Sequence, residues 1–489
     1  MSLTAALGIA QQSLLTTSQR TQVVSRNITD ANNPNYSRRN ALVSSDAPGS
    51  RVVTIQRAAN AALFRANIGA VSAYEGQGTV RAGIDTLSQA VNGVGHAMSA
   101  STALGSLQEA LQLFAASPSS VSIAENALDA ARQVIRSLND GTSAIQAFRV
   151  DADMQISLGV GDLNSMLAQF KDVNDQIVAG TQSGRDVTEQ LDRRDALLKN
   201  ISQYVPISTI SRAHNDMVIT TTTGATLFET VPRTVTFQPT PGYSAGSTGN
   251  SIYVDGVPLL GGVGGDTTAS GKLAGLLQLR DTVAPTMQAQ LDEVARGLIN
   301  AFAETGPTGA LAPLAGLFTW SGGPGMPAPG MISPGLAGDI RLNAAIDSAQ
   351  GGNPFVLRDG GANGAAYVAN TDGNASFTDL LIGYGNGLDA ATAFDPMANA
   401  GTGISVVAFA AASIGWLEGF RQQAANAEET KSALLTQTAS ALSNDTGVNI
   451  DQEMSLLLEL EHSYEASARI IRAVDEMLAS LLAAVGYRL

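Results

Sequence analysis

The chain contains no cysteine among its 489 residues. This absence excludes disulfides, thiolate catalysis and Cys-based zinc sites. Histidine is scarce as well, since His96, His214 and His462 are the whole supply and lie far apart in sequence. A His-based metal site or catalytic triad therefore has no support from spacing. Charged residues make up 15% and aromatic residues 5% of the chain, both low for a folded protein.

Basic residues are also few. The chain has 28 Lys and Arg against 43 Asp and Glu, and a formal net charge of −15. Because contacts to phosphate need clustered basic side chains, a nucleic-acid partner is not expected. Residues 404–417 are the most apolar run, but the run is too short for a membrane span and includes Ser and Gly, so we predict a buried helix and no membrane insertion. The first residues lack a basic region before their apolar residues, and we expect no cleaved secretory signal.

Glycine is plentiful, at 50 residues, yet no glycine motif predicts a binding loop. Residues 265–272 fail as a phosphate loop because five residues separate the two glycines and Leu273 stands where Ser or Thr should bind magnesium. The glycines at 383–387 are interpreted as a loop. The run 192–195, Asp-Arg-Arg-Asp, is interpreted as a salt-bridged helix start rather than as paired catalytic carboxylates. We therefore predict no enzyme activity and no cofactor.

Both ends of the chain carry apolar residues at alternating four and three spacing, which places them along one seam of an α-helix. The N-terminal seam comprises Leu3, Leu7, Ala10, Leu14, Thr17, Thr21, Val24, Ile28 and Ala31. The C-terminal seam comprises Leu457, Leu460, Tyr464, Ser467, Ile471, Val474, Leu478, Leu481 and Val485. The predicted assembly interface consists of Leu3, Leu7, Leu14, Val24, Ile28, Leu457, Leu460, Tyr464, Ile471, Val474, Leu478 and Leu481.

The charges of the two ends are opposite. Residues 1–40 carry four arginines and one acid, whereas residues 446–489 carry seven acids and three arginines. Opposite charge favours pairing of the N-terminal helix with a C-terminal helix over self-pairing. Thr17, Thr21 and Ser467 weaken the seams, so neither helix is expected to be stable alone.

The middle of the chain changes character several times. Residues 37–203 begin with a short β-rich stretch at 38–57, which turns at 47–49, and are otherwise mostly helical. Residues 204–271 are rich in Val, Ile and Thr between Pro and Gly, which is typical of β-structure. Helices return at 272–305 and 401–445, separated by a Gly/Pro-rich irregular or small β segment at 306–400. We predict an α+β, elongated multidomain molecule with terminal coiled-coil-like helices (1–36 and 446–489), a helical-bundle body and an inserted β-rich domain.

Two motifs at the ends make the chain recognisable. Its N-terminal signature resembles that of bacterial flagellar axial proteins through Asn27, Ala31, Asn32, Tyr36, Ser37 and Arg38. Its C-terminal signature resembles theirs through Gly447, Val448 and Asn449, followed by a Tyr464–Arg469 run. The helical region up to 198 and the helix after 276 further resemble the hook-associated protein 1 family, whose members form the hook–filament junction.

That resemblance implies a structural protein of the extracellular flagellum, exported by the type III apparatus without a cleaved signal. It implies assembly into a ring of copies through the terminal helices. The hook protein, a second hook–filament junction protein and an export chaperone would be the other partners. A hook or filament-type subunit stays open as an alternative, as does a secreted adhesin or enzyme that uses the β-rich insert.

Overall fold

The computed structural model describes residues 3–46, 49–259, 269–307 and 311–486. Its helices are α1 (Leu3–Thr29), α2 (Ala61–Asn92), α3 (Ala100–Ala116), α4 (Val121–Gln182), α5 (Thr188–Tyr204), α6 (Lys272–Gln278), α7 (Ala284–Ala301), α8 (Leu336–Asp339), α9 (Val356–Asp359), α10 (Asp379–Asp389), α11 (Val406–Thr446) and α12 (Ile450–Gly486). Its strands are β1 (Arg39–Asp46), β2 (Gly49–Arg57), β3 (Ile207–Ser211), β4 (Met217–Thr221), β5 (Thr226–Phe228), β6 (Val235–Thr236), β7 (Tyr253–Val254), β8 (Val257–Pro258), β9 (Phe318–Thr319) and β10 (Arg341–Leu342). Ala47 and Pro48 of the predicted turn, residues 265–268 of the rejected phosphate loop and the side chain of Val485 lie outside what is described.

The two ends of the chain meet. Helices α1 and α12 pack along each other, and we call this pair the coil. Strands β1 and β2 form an antiparallel hairpin that lies against α1. The rest, residues 58–446, is the body. In the described ranges, no helix is both long enough and apolar enough to cross a bilayer.

The body is built on α4, a single helix of 62 residues. Apolar residues recur at helical spacing in 123–138 and again in 163–177, and the helix is continuous between these two stretches. The apolar period fades between them because Arg149 and Asp153 occupy the buried face. Both side chains are hydrogen-bonded there, so the helix continues without an apolar residue at those positions.

Two apolar cores meet along α4. The larger one joins α2, α3, the first half of α4, α7, α10 and α11 with the segment 306–400. The smaller one joins the second half of α4 with α5, α6 and the small sheets of the β-rich insert. Those sheets are antiparallel, with strand orders β3-β4-β5 and β6-β7-β8. The fold class is therefore α+β with long terminal helices, as the sequence predicted.

The segment 306–400 has little regular structure of its own, only the β9–β10 pair, three short helices and brief 3₁₀ turns in its described part. It is held by buried polar side chains of α7. Asp292 accepts from the backbone N–H groups of Gly335 and Ala337, and Glu293 accepts from that of Asp395. Gln290 and Arg296 of the same helix donate to the carbonyl oxygens of residues 398 and 393. Side chains of α7 thus satisfy backbone groups that a sheet would otherwise satisfy.

Candidate functional site

The coil is antiparallel. The hydroxyl oxygens of Ser13 and Ser467 lie 2.9 Å apart, and those of Thr17 and Ser463 lie 3.5 Å apart. A step of four residues up α1 therefore matches a step of four residues down α12. This register places the start of α1 beside the end of α12.

The buried face of α12 has a strict period of seven. Glu453, Leu460, Ser467 and Val474 are its buried residues, as Ala10, Thr17 and Val24 are those of the facing row of α1. Among the predicted interface residues, those half-buried in the coil are Leu3, Leu7, Leu14, Ile28, Leu457, Ile471 and Leu478. Tyr464 and Leu481 remain about half exposed. Ser463 takes the place of Tyr464 against α1, and Leu481 lies beyond the start of α1.

The opposite charges of the two helices do not pair within the chain. No ion pair joins α1 to α12 in the described part of either helix, although Arg469 and Glu465 pair within α12. The contact is instead made by small, hydroxyl-bearing and aliphatic side chains, and the charged residues of α12 other than the buried Glu453 are exposed. The charge argument therefore does not explain the intrachain contact.

One side of the coil is an open groove. It has a volume of about 960 Å³ and lies between the second half of α1 and residues 457–464 of α12. Leu457, Leu460, Glu461 and Tyr464 line the α12 side, and Ser, Thr and Gln side chains with Arg26 and Asp30 line the α1 side. On the rest of α12, the large apolar side chains that remain exposed are Ile450, Met454, Leu458, Ile470, Met477, Leu481 and Leu482. The coil thus leaves apolar surface that the chain itself does not cover.

Asn27 fastens the coil to the hairpin. Its amide N–H donates to the carbonyl oxygen of Arg39 at 2.9 Å, and its carbonyl oxygen accepts from the Arg39 N–H at 3.0 Å and from the Tyr36 hydroxyl at 2.8 Å. Burial raises the pKa of Tyr36 to about 12, so the hydroxyl keeps its proton and can donate. The Arg39 guanidinium lies over the Tyr36 ring at 4.9 Å. Asn27 and Tyr36 of the N-terminal motif therefore fix where β1 begins.

The C-terminal motif forms the connection between α11 and α12. The Arg38 N–H donates to the carbonyl oxygen of Thr446 at 2.8 Å, which joins the two motifs. A Cβ added to Gly447 would lie 2.4 Å from the carbonyl oxygen of Ser443, so only glycine fits this close approach. The Asn449 side chain accepts from the backbone N–H of Gln452 and caps α12. Ala31, Ser37 and Val448 are half-buried around this connection, and Asn32 is exposed.

An ionic cluster joins the hairpin to the body. Asp192 on α5 accepts from Arg57 at 3.0 Å and from Arg39 at 3.4 Å, and Asp195 accepts from Arg57 at 2.5 Å. These are two arginines of the hairpin against two aspartates of one helix, so the charges balance. We call these four residues the ionic cluster.

Burial and charge act in opposite directions in this cluster. Burial by itself would lower the pKa of Arg57, but the charge and hydrogen bond of Asp195 leave it above its ordinary value. Burial lowers the pKa of the neighbouring Arg194 to about 10, a value at which its guanidinium still carries charge at neutral pH. Arg194 points the other way and donates to Asn174 and to the carbonyl oxygen of Asn215.

The sequence had partly indicated this cluster. The run 192–195 was interpreted as a salt-bridged helix start, and it does lie in the first half of α5. Its acids, however, pair with Arg39 and Arg57, more than 130 residues away along the chain. Local spacing cannot predict such partners. The available signal was an unusual density of charge, four residues in a row, in a chain with few charges.

Two family models and a curated relative match parts of this chain. Residues 84–311 match the family model of the flagellar hook-associated protein FlgK helical domain, and residues 441–484 match that of the flagellar basal body rod FlgEFG protein C-terminal region. The curated Flagellar hook-associated protein 1 of Bacillus subtilis (strain 168) is 25% identical over 364 residues. That match covers 68% of this chain and 66% of the relative's length. The chain is thus similar to the FlgK family over much of its length.

A solved structure shows the same fold. The flagellar hook junction protein FlgK from Burkholderia pseudomallei superposes with a TM-score of 0.56 over 77% of this chain and 99% of that chain, at 13% sequence identity. The two family models also match in chain order, with the FlgK helical model over residues 84–311 of the body and the rod-type model over the end of α11 and most of α12. Part of the body and the α12 half of the coil thus match separately recognised units.

Proposed function

We propose that this chain is a structural axial protein of the bacterial flagellum that forms the junction between hook and filament. It assembles with further copies of itself, in a ring, through its terminal helices. The observation that carries the proposal is the coil, which combines a polar seam with exposed apolar residues on its outer faces. Similarity to the FlgK family supports this role, as does the match of α12 to a flagellar rod model.

The exposed residues determine how copies meet. A helix position advances by about 100°, so Ile450, Met454 and Tyr464 lie towards the groove, whereas Ile470 and Met477 lie towards the opposite flank. Two different apolar flanks on opposite sides give a heterologous contact, in which each copy touches one neighbour on each side. A repeated heterologous contact closes into a ring when the rotation fits. This arrangement suits a ring better than a twofold dimer.

The remaining parts of the proposal follow from the family. The hook protein and a second hook–filament junction protein are the partners on the two sides of the ring, and an export chaperone accompanies the chain before assembly. The site of action is the extracellular flagellum, reached without a cleaved signal peptide. The role is structural rather than catalytic.

The proposal is tested by deletion of the gene and complementation. The deletion strain is expected to show hooks without filaments in electron microscopy, with flagellin released into the medium. Loss of the hook itself would indicate a hook subunit, and normal filaments would contradict the junction role. A chain that lacks residues 1–32 is expected to stay folded and soluble but to fail in complementation.

A matched pair of variants tests the coil surface directly. Met477→Ser removes an exposed apolar side chain of α12 and is expected to lower self-association without loss of helix content. Ala479→Ser changes an exposed small residue on the same helix, two positions away, and as the control it is expected to leave self-association unchanged. Equal self-association of both variants, measured by sedimentation, would contradict a role of this flank.

A further inference from the structure

Few contacts cross the boundary between coil and body. The chain itself crosses at residues 58–60 and at residues 447–449, and the Arg38–Thr446 backbone bond lies beside the second crossing. Within the ranges that the structure describes, the ion pairs from the coil or hairpin to the body all involve Arg39 or Arg57. The ionic cluster is therefore the main charged link between the two parts.

Each half of the cluster is fixed to its own part. On the hairpin side, Asn27 holds the backbone of Arg39 by two hydrogen bonds. On the body side, Arg194 ties α5 to α4 through Asn174, whose amide in turn donates to Asp216 at 2.7 Å. The cluster thus joins two well-fastened pieces rather than two loose loops.

The fit between the halves is incomplete. The Arg39–Asp192 distance of 3.4 Å is long for a charge-assisted hydrogen bond, which is ordinarily about 2.7–2.9 Å. The Nε atoms of Arg38 and Arg39 are buried without a hydrogen-bond partner. Buried donors without partners are unfavourable, so this angle between coil and body does not satisfy the arginines fully.

Space for another angle lies next to the cluster. A cleft of about 800 Å³ separates the connections 31–37 and 446–448 on one side from α2, α5 and β3 on the other. Arg57, Asp192 and Asp195 line this cleft. A turn of the coil towards the body would narrow the cleft and would require those ion pairs to part or exchange partners.

We propose that the ionic cluster is a releasable lock that sets the angle between coil and body. The closed lock holds the angle seen here, and its release lets the coil, together with the hairpin, turn about the crossings 58–60 and 447–449 into the cleft. The proposal concerns the single chain, so it stands whether or not the assembly role does.

Because the chain has no cysteine of its own, spin labels react only with cysteines that are introduced. Nitroxide labels attached through His462→Cys on α12 and Gln182→Cys on α4 report the distance between coil and body by double electron–electron resonance. A second pair, Gln169→Cys with Gln182→Cys, lies within α4 and should give one narrow distance in every background. Both label pairs are introduced into the full chain.

The lock predicts one narrow coil–body distance in the parent chain and a broadened or shifted one in Asp192→Asn. Arg81→Gln removes an ion pair inside the body, between α2 and α11, and should leave the distance unchanged. A broad distribution in the parent, or an unchanged narrow one in Asp192→Asn, would overturn the proposal. If Asp192→Asn loses helix content, Asp195→Asn replaces it, because that carboxylate has one arginine partner and is more exposed.

Discussion

Replacement of Asn27 by alanine should weaken the attachment of α1 to the hairpin more than any other single amide loss in the coil. The side chain is 1% exposed and makes three hydrogen bonds. Each such bond contributes about 0.5–1.5 kcal/mol, and each buried group left without a partner costs about 1–3 kcal/mol. Asn27→Ala leaves the Arg39 N–H and carbonyl oxygen without partners. The expected loss is therefore about 3 kcal/mol.

The loss should be local, because the body has its own cores. Native-state hydrogen exchange of the α1 amides measures the free energy of opening of the coil directly. Tyr36→Phe removes only the bond of its hydroxyl and should cost about 1 kcal/mol. Asn40→Ala, at the next position of β1 and exposed, should change the free energy by less than about 0.5 kcal/mol.

The body should respond differently from the coil. Its amides are expected to exchange at the same rate in all three variants. If the α1 amides of Asn27→Ala exchange no faster than those of Asn40→Ala, the Asn27 contacts do not stabilise the coil and the reasoning fails.

Three further outcomes are expected. Burial raises the pKa of Asp292 to about 6, above its value in the unfolded chain. The free energy of unfolding of the parent chain, measured in urea titrations, should therefore fall by up to about 3 kcal/mol between about pH 4 and 7 relative to that of Asp292→Asn. Parallel pH curves for the two proteins would contradict this. Gly76→Ala should destabilise α2, since its Cβ would lie within 3 Å of the backbone of residues 269–270. The control Gly69→Ala places its Cβ in open space and should stabilise the helix by about 0.5–1 kcal/mol. Equal melting temperatures of the two variants in thermal denaturation would refute the predicted clash at Gly76. Thr17→Val should slow proteolysis of the coil, because an apolar contact takes the place of the weak hydroxyl contact between Thr17 and Ser463. Faster cleavage would show that the hydroxyl pair stabilises the coil.

The helices at the ends could be predicted because their signal is local. Heptad spacing gives a helix and its buried face, and α1 and α12 begin and end within a few residues of the sequence patterns. The break between α3 and α4 also has a local signal, since Ser117 and Pro118 interrupt the apolar period there. Local signals thus sufficed for the class of fold.

Features that depend on distant partners could not be predicted. The seam runs through Ser463 rather than Tyr464 because the antiparallel register decides which α12 side chains face α1. The ionic cluster depends on a hairpin and a helix that are far apart in sequence. That the predicted seam residues form an assembly interface stays a prediction.

The segment 306–400 has a consequence for how much change the chain can absorb. Part of its path is set by its own buried apolar side chains, and part by side chains of α7 that bind its backbone N–H and carbonyl groups. Backbone groups are the same in every residue type except proline, so most of its own side chains are not specified by these contacts. An exposed turn such as that at 371–373 should therefore accept an inserted peptide, or a whole small domain, while α7 keeps its place. The outer surface of the body could then change in sequence and length while the core keeps its fold.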